Sequence, residues 1–269
     1  VVAYELWLAS REPSGEGAVR KYATLSVLYF AQGLPFGFQA TALPLLLRER
    51  GASLQAIGLA GLLSLPWLTK PLWAPWVDRY GHAGFGRRKS WIVPLQLALA
   101  VCALLAGRTE RLQWLLLLVF AMNWLAATQD IAVDALAVSW LGEAELGVGN
   151  AIQVVGYKTG MLTGGGLLVW ASQRIGYPGL FNVMAVLMLL VMSVAFSVPE
   201  RPSQAAASGT WPVPLRDVLR QLRAALAHSS TLPLLGIVVS YKMGETMADA
   251  MWKPLLFDRG FSSPQIGLW

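Results

Sequence analysis

Seven long apolar stretches constrain what this chain can fold into more than any other feature of its sequence. An α-helix of about 20 residues crosses the roughly 30 Å of hydrocarbon in a bilayer. Long continuous apolar runs predict such helices, because a membrane barrel is instead built from short strands of alternating polarity. We predict an all-α polytopic membrane protein with helices over residues 23–47, 54–77, 90–106, 112–141, 147–172, 179–198 and 232–257, and with an eighth that begins near Ser263.

Composition and charge agree with a protein whose solvent is lipid. Of the 269 residues, 55% are hydrophobic and 13% are charged, whereas about 25% is usual for charged residues in soluble domains. The net charge of +6 does not indicate nucleic-acid binding, because the basic residues lie between the apolar stretches. Cys102 is the single cysteine, which excludes an intrachain disulfide, and His82 and His228 are too isolated for a metal site. We expect no cofactor.

The distribution of arginine and lysine predicts the orientation. The loops on the side of the N-terminus hold more of these residues than the loops on the opposite side. By the positive-inside rule the N-terminus is then cytoplasmic. The chain is accordingly expected to be an integral protein of a bacterial inner membrane or of a eukaryotic cell or organelle membrane.

One long polar connection divides the chain into two parts. Residues 1–22 are predicted to be a cytoplasmic N-terminal segment, and residues 23–198 a six-helix bundle. Residues 199–231 form the expected cytoplasmic linker, in which Arg216, Arg220 and Arg223 alternate with leucines as in a basic amphipathic helix. This helix lies on the inner leaflet or packs against the cytoplasmic loops. Residues 232–269 hold helix seven and the start of helix eight.

A short internal repeat supports this division. The sequence RGAS at residues 50–53 with IGL at 57–59 recurs as RGFS at 259–262 with IGL at 266–268. The loop between helices one and two thus returns between helices seven and eight. A repeat unit of six helices predicts twelve in the full protein, so we expect the chain to be truncated early in its second unit. Two parallel halves around a central site are typical of secondary transporters.

Polar residues at membrane depth are the candidates for function. Helices three and six contain no ionisable residue after their first turn and are expected to face lipid. An ionisable group in lipid is costly unless it faces a polar interior, so such groups are functional candidates by default. The alternative is a structural ion-pair network that holds the bundle together. We assign the solute and proton pathway to Gln32, Gln39, Lys70, Asp130, Asp134, Lys158, Lys242, Glu245 and Asp249.

Glycine and proline predict two local features. Gly156, Gly160 and Gly164 recur every four residues on helix five, a spacing that lets another helix backbone approach closely. Pro35 is expected to kink helix one.

Five motifs resemble one branch of a known family. They are QGLPFG at residues 32–37, KPLWAPWVDR at 70–79, GRR at 86–88, ATQDIAVDA at 127–135, and YKTG at 157–160, which is echoed by YKMGE at 241–245. In this order and on these helices they resemble the branch of the major facilitator superfamily that holds the AmpG muropeptide permease and acetyl-coenzyme A transporters.

The resemblance implies a monomeric secondary transporter that moves a polar anionic solute by alternating access. The solute would be muropeptide-like or acetyl-coenzyme A-like. From the residues themselves we predict that Asp130 or Asp134, one turn apart on helix four, carries a coupling proton. Lys158 and Lys242, each in a Tyr-Lys-x-Gly sequence on a different half, are predicted to bind the anion. The resemblance also makes Asp78, Arg79, Arg87 and Arg88 part of a cytoplasmic gate loop, although Ala74 stands where the superfamily pattern has glycine. The alternative class, a membrane-embedded acyltransferase, would need a His-Asp or Ser-His constellation that neither histidine supplies.

Overall fold

The computed structural model describes residues 15–82, 84–197, 230–262 and 265–266, together with residues 216, 220, 223, 224, 227 and 228. In that part of the chain the regular structure is helical, without strands. Seven long segments, α1 to α7, hold most of the helical residues, and several of them are assembled from consecutive α, π and 3₁₀ pieces. Residues 216, 220, 223, 224, 227, 265 and 266 are also helical.

The first four segments have the following bounds. α1 comprises Gly15–Gly37, the π-helical turn Phe38–Ala42 and Leu43–Glu49. α2 comprises Leu54–Ala60, Gly61–Ser64, Leu65–Thr69, Lys70–Leu72 and Ala74–Arg79. α3 is Lys89–Ala106, and α4 is Leu112–Trp140.

The last three segments follow a 3₁₀ turn, Glu143–Glu145. α5 comprises Leu146–Met161, the π-helical turn Leu162–Leu167 and the beginning of Leu168–Phe196. Gly176 breaks that last helix with a φ of 69° and a ψ of 173°, so the chain turns there and continues as α6. α7 is Thr231–Asp258.

These segments confirm the predicted all-α fold, and each predicted stretch from the first to the seventh corresponds to one of them. The first fourteen residues, most of the predicted linker at 199–231 and Ser263 lie outside the described residues. Gln265 and Ile266, which follow Ser263, are helical.

Prolines explain most of the interruptions. Proline lacks a backbone N–H and its ring crowds the carbonyl one turn earlier, so a regular helix is disturbed just before it. The π-helical turn of α1 ends two residues before Pro44. In α2 one 3₁₀ piece ends two residues before Pro66 and the other contains Pro71. Pro35 is accommodated within the first piece of α1.

By length and composition, three described helical stretches can cross a membrane: Lys89–Ala106, Leu112–Trp140 and Glu143–Phe196, the last of which contains the break at Gly176. They correspond to α3, α4 and the pair α5–α6. α1, α2 and α7 do not meet the same criteria of length and composition.

Backbone contact between α1 and α5 forms the centre of the bundle. A Cβ atom added at Gly160 would overlap the carbonyl oxygen of Phe30, and one added at Gly33 would overlap the carbonyl oxygen of Tyr157. Added Cβ atoms at Gly37, Gly156, Gly164 and Gly165 would also meet the backbone of the other helix. The predicted close approach along the glycines of helix five is thus confirmed, and its partner is α1.

The repeated sequence forms the same turn twice at the opposite end of the bundle from the start of α1. Gly51 and Gly260 both have positive φ, 77° and 92°. Ile57 and Ile266, which occupy equivalent positions in the repeat, are both buried in one apolar core. Arg48 at the end of α1 donates two hydrogen bonds of 2.8 Å to the carboxylate of Asp258 at the end of α7. This bidentate ion pair ties α7 to the first six helices.

We predict that Gly160→Ala destabilises the protein by about 1–3 kcal/mol, since the added methyl group meets backbone atoms that cannot move aside. The matched control is Gly147→Ala, on the same helix, where nothing lies within 4 Å of the added carbon. The control should be neutral or stabilising because alanine favours helix more than glycine does. Thermal unfolding in detergent measures both variants. Equal melting temperatures for the two would contradict the packing described here.

Candidate functional site

The polar side chains of α1, α2, α4 and α5 meet inside the six-helix bundle. Lys70 of α2 donates a short hydrogen bond to the Oδ2 atom of Asp130 on α4, and the two groups form an ion pair. The Asp130 side chain is 7% exposed and that of Lys70 is 32% exposed. Asp130 is therefore a buried carboxylate whose charge is balanced by a lysine that still reaches open space.

Asp134 lies one helical turn beyond Asp130 but has different partners. Its Oδ1 atom accepts a hydrogen bond of 2.9 Å from the hydroxyl of Tyr29 on α1 and one of 3.3 Å from the amide of Gln153 on α5. Both of these donors are uncharged. The two neighbouring carboxylates thus differ, because one is paired with a cation and the other is held by neutral groups.

A groove of about 460 Å³ runs between α2 and α4 past this cluster. Lys70 and Asp134 line one part of it, and Asp78 and Arg88 line another. Arg88 donates a hydrogen bond of 2.8 Å to Asp78, and the two side chains form an ion pair. The groove connects the partly buried Asp134 with the loop between α2 and α3.

The remaining residues of the expected gate loop have less central positions. Arg79 lies over the ring of Tyr80, with 5.6 Å between the guanidinium carbon and the ring centroid. Arg87 packs against Gly81, where an added Cβ atom would meet its side chain and backbone. Of the four gate-loop residues, Asp78 and Arg88 are the two that share the groove with the carboxylate cluster.

A second network of hydrogen-bonded polar side chains crosses the bundle nearer to the end that holds Arg48. Asn123 of α4 donates a short hydrogen bond to Gln39 of α1 and another of 2.9 Å to the carbonyl oxygen of Val119. It accepts a hydrogen bond of 2.9 Å from the indole of Trp67 on α2. This network joins α1, α2 and α4 through uncharged groups.

Buried glutamines complete the interior. Gln129 of α4 donates to Gln96 of α3 at 2.6 Å, and Gln96 donates to the carbonyl oxygen of Met188 on α6 at 3.2 Å. Gln32 of α1 is 1% exposed, and its amide nitrogen has no hydrogen-bond partner among the described residues. The side-chain oxygen of Gln129, also buried, has no partner among the described residues either. An unpaired buried amide group costs free energy, so both glutamines could accommodate a further partner.

The other predicted site residues lie apart from this cluster. Lys158 is exposed on the face of α5 opposite Gly156 and Gly160, which contact α1. On α7, Lys242 donates a hydrogen bond of 2.6 Å to Glu245, and both side chains are exposed. The side chain of Asp249 lies outside the described residues. The structure thus brings Lys70, Asp130 and Asp134 together and bonds Gln39 to Asn123 in the neighbouring polar network, whereas Lys158 and Lys242 are exposed.

Sequence analysis missed several partners in this interior, among them Tyr29, Trp67, Gln96, Asn123 and Gln153. Asn123 precedes Asp130 by seven residues, so both lie on one face of α4, and this spacing could have identified it. Tyr29, Trp67 and Gln153 carry no comparable signal, because one hydroxyl, indole or amide in an apolar helix is common.

Residues 25–269 match the family model of the Major Facilitator Superfamily. The chain belongs to this superfamily. Its members are transporters rather than enzymes, which excludes the acyltransferase alternative, and the chain is an integral membrane protein whose family moves small-molecule solutes.

Relatives from three bacteria resemble this superfamily chain over most of its length. It is 31% identical over 254 residues to the anhydromuropeptide permease of Escherichia coli strain K12, an alignment that covers 91% of this chain and 50% of the permease. It is 28% identical over 269 residues to an uncharacterized protein of Haemophilus influenzae, covering 96% of this chain and 62% of that protein. A putative transporter AmpG 4 of Rickettsia felis is 23% identical over 256 residues, with 90% and 61% covered.

The chain therefore spans about half the length of the Escherichia coli permease that it matches. These relatives confirm the resemblance to AmpG-like permeases of the superfamily.

We predict that Lys70→Met destabilises the protein by about 2 kcal/mol, since the change leaves the Asp130 charge buried without its cation. The double variant Lys70→Met with Asp130→Asn should recover most of this loss. Lys158→Met is the matched control. Lys158 is a lysine of α5 with an exposed side chain, so its replacement should change stability little. Thermal unfolding in detergent measures all three. A double variant less stable than Lys70→Met alone would contradict the pairing.

Proposed function

We propose that this protein is a proton-coupled secondary transporter that moves a polar, anionic, muropeptide-like solute by alternating access. The six-helix bundle at residues 23–198 would rock against a second bundle that begins with α7, and the N-terminus would be cytoplasmic. Similarity to the anhydromuropeptide permease of Escherichia coli supports the choice of solute class. A single copy of the full-length protein would be sufficient, since the two halves supply one central site.

The observation that carries this proposal is the charge balance of Lys70, Asp130 and Asp134. With both carboxylates ionised, the three groups sum to a charge of −1, so an anionic solute that approaches Lys70 is repelled. One proton on a carboxylate makes the cluster neutral and leaves Lys70 more available to the anion. Proton and anionic solute then strengthen each other's binding, which is the linkage that symport needs.

Asp134 is the better candidate for the exchangeable proton. Asp130 is already balanced by Lys70, whereas the hydrogen bonds to Asp134 come from neutral Tyr29 and Gln153. A carboxyl group in that setting keeps a hydrogen-bonded environment in either protonation state. Asp134 also lines the groove that leads to Asp78 and Arg88, so a proton has a path to it.

Other predicted residues have supporting roles in this proposal. Lys158 and Lys242 lie on helices of different halves, and each would add positive charge where the halves face one another. Lys242 would do so in competition with Glu245, its ion-pair partner in α7. Gln32 and Gln39 would offer amide groups to the solute or to water along α1.

The test replaces single carboxylates in the full-length protein. In Asp134→Asn, we expect accumulation of a radiolabelled anhydromuropeptide driven by an inward proton gradient to fall at least tenfold. Exchange of the solute across vesicles at equal concentration should persist, because the neutral amide imitates the protonated acid. Glu143→Gln, at an exposed loop carboxylate, is the matched control and should behave like wild type. Gradient-driven accumulation that survives in both Asp134→Asn and Asp130→Asn would show that neither aspartate couples the proton.

A separate prediction concerns orientation. His82 and Arg108 are exposed at the two ends of the stretch that contains α3, so α3 should place them on opposite sides of the membrane. In a Cys102→Ser background, we expect His82→Cys to react with an impermeant thiol reagent from the cytoplasmic side and Arg108→Cys from the outside. Cys102→Ser alone is the control for background labelling. Labelling of His82→Cys from outside intact cells would reverse the proposed orientation.

A further inference from the structure

We propose that the aromatic rings of Phe36, Trp67 and Tyr157 form a stacking subsite beside Lys70 for the sugar ring of an anionic solute. This inference rests on the proposed transport function and assigns the part of the site that binds the apolar face of the solute. It predicts a solute in which a ring and an anionic group are neighbours.

The three rings come from three helices and enclose a corner. The ring centroids of Phe36 on α1 and Trp67 on α2 are 6.3 Å apart, and those of Trp67 and Tyr157 on α5 are 6.4 Å apart. Phe36 and Tyr157 are 5.8 Å apart. The planes are inclined to one another by 81°, 70° and 44°, and all three residues are partly exposed. The corner is therefore not a fully buried core.

Hydrogen bonds hold Trp67 in one orientation. Its indole nitrogen donates to Asn123, which is 1% exposed and is itself bonded to Gln39 and to the carbonyl oxygen of Val119. A ring fixed in this way loses little conformational entropy when a ligand binds. Phe38 and Phe181 form a core packing contact that differs from this corner. Their ring centroids are 4.7 Å apart and both side chains are fully buried.

Charge adjoins the aromatic corner. The Nζ atom of Lys70 lies 5.8 Å from the centroid of Trp67 while it is paired with Asp130. Ligand sites combine apolar and aromatic walls with a few placed polar groups that fix orientation. A sugar ring has C–H groups that pack on aromatic faces, and an attached carboxylate would then point towards Lys70. The corner and the lysine together select for a sugar that carries an acid.

The experiment measures KM for a radiolabelled anhydromuropeptide and the number of protons taken up per solute, in vesicles that hold the full-length protein. Phe36→Leu and Trp67→Leu are each expected to raise KM about tenfold, the size expected for one stacked ring. The proton ratio should not change, because neither residue contacts Asp134. Phe36→Leu is the cleaner variant, since it removes a ring without removing a hydrogen bond. Phe36→Tyr keeps the ring and should keep KM within twofold.

The matched control is Trp114→Leu, which removes an exposed tryptophan near the N-terminal end of α4. It should leave KM unchanged. An unchanged KM in both Phe36→Leu and Trp67→Leu would overturn the subsite while leaving the transport function in place. Ring-dependent uptake of acetyl-coenzyme A with no uptake of anhydromuropeptide would also overturn it, because the stacked ring would then be a purine. Wild-type vesicles that take up neither solute would remove the proposed function together with this inference.

Discussion

The contact between α1 and α5 determines where every other group in the bundle can lie. Glycines on both helices bring the two backbones together, and a Cβ atom at Gly160 or Gly33 would overlap a carbonyl oxygen of the partner helix. With this face of α1 fixed, Tyr29 and Gln39 reach α4, and Phe36 reaches the corner formed with α2 and α5. On α5 the same contact directs Gln153 towards Asp134 and leaves Lys158 exposed on the opposite face.

The interior polar groups are arranged so that each helix interface has a different chemistry. α2 and α4 meet through an ion pair, α1 and α4 through a hydroxyl and an amide, and α3, α4 and α6 through two glutamines. Burying an ionised group without a partner would cost several kcal/mol, so these pairings are a condition of stability as well as candidates for function. The same side chains are therefore candidates under both interpretations of the polar residues. A rigid network at one interface is compatible with a mobile proton at the next.

Sequence reasoning predicted the helices well because apolar length is a local property. It also identified Asp130 and Asp134 as a pair on one face of α4, since helical spacing alone decides that. It did not predict that Lys70 is the partner of Asp130, because the choice among Lys70, Lys158 and Lys242 depends on how helices rotate against one another. The rotation of α5 could have been deduced from its glycines, which place residue 158 on the opposite face once they contact another helix. Tyr29 and Gln153 could not be found in this way, since neutral polar residues in helices carry no pairing signal.

The glycine contact also has a consequence for biosynthesis. α1 enters the membrane first, but the helix that completes its packing is α5, which is made only after α2, α3 and α4. At about 5–20 residues per second of translation, α1 waits several seconds for its partner. During that interval the amide of Gln32 and the backbone around Gly33 and Gly37 face lipid, the insertion machinery or the helices already present. A variant that slows synthesis or insertion between α1 and α5 is therefore expected to harm assembly even when the finished protein is stable.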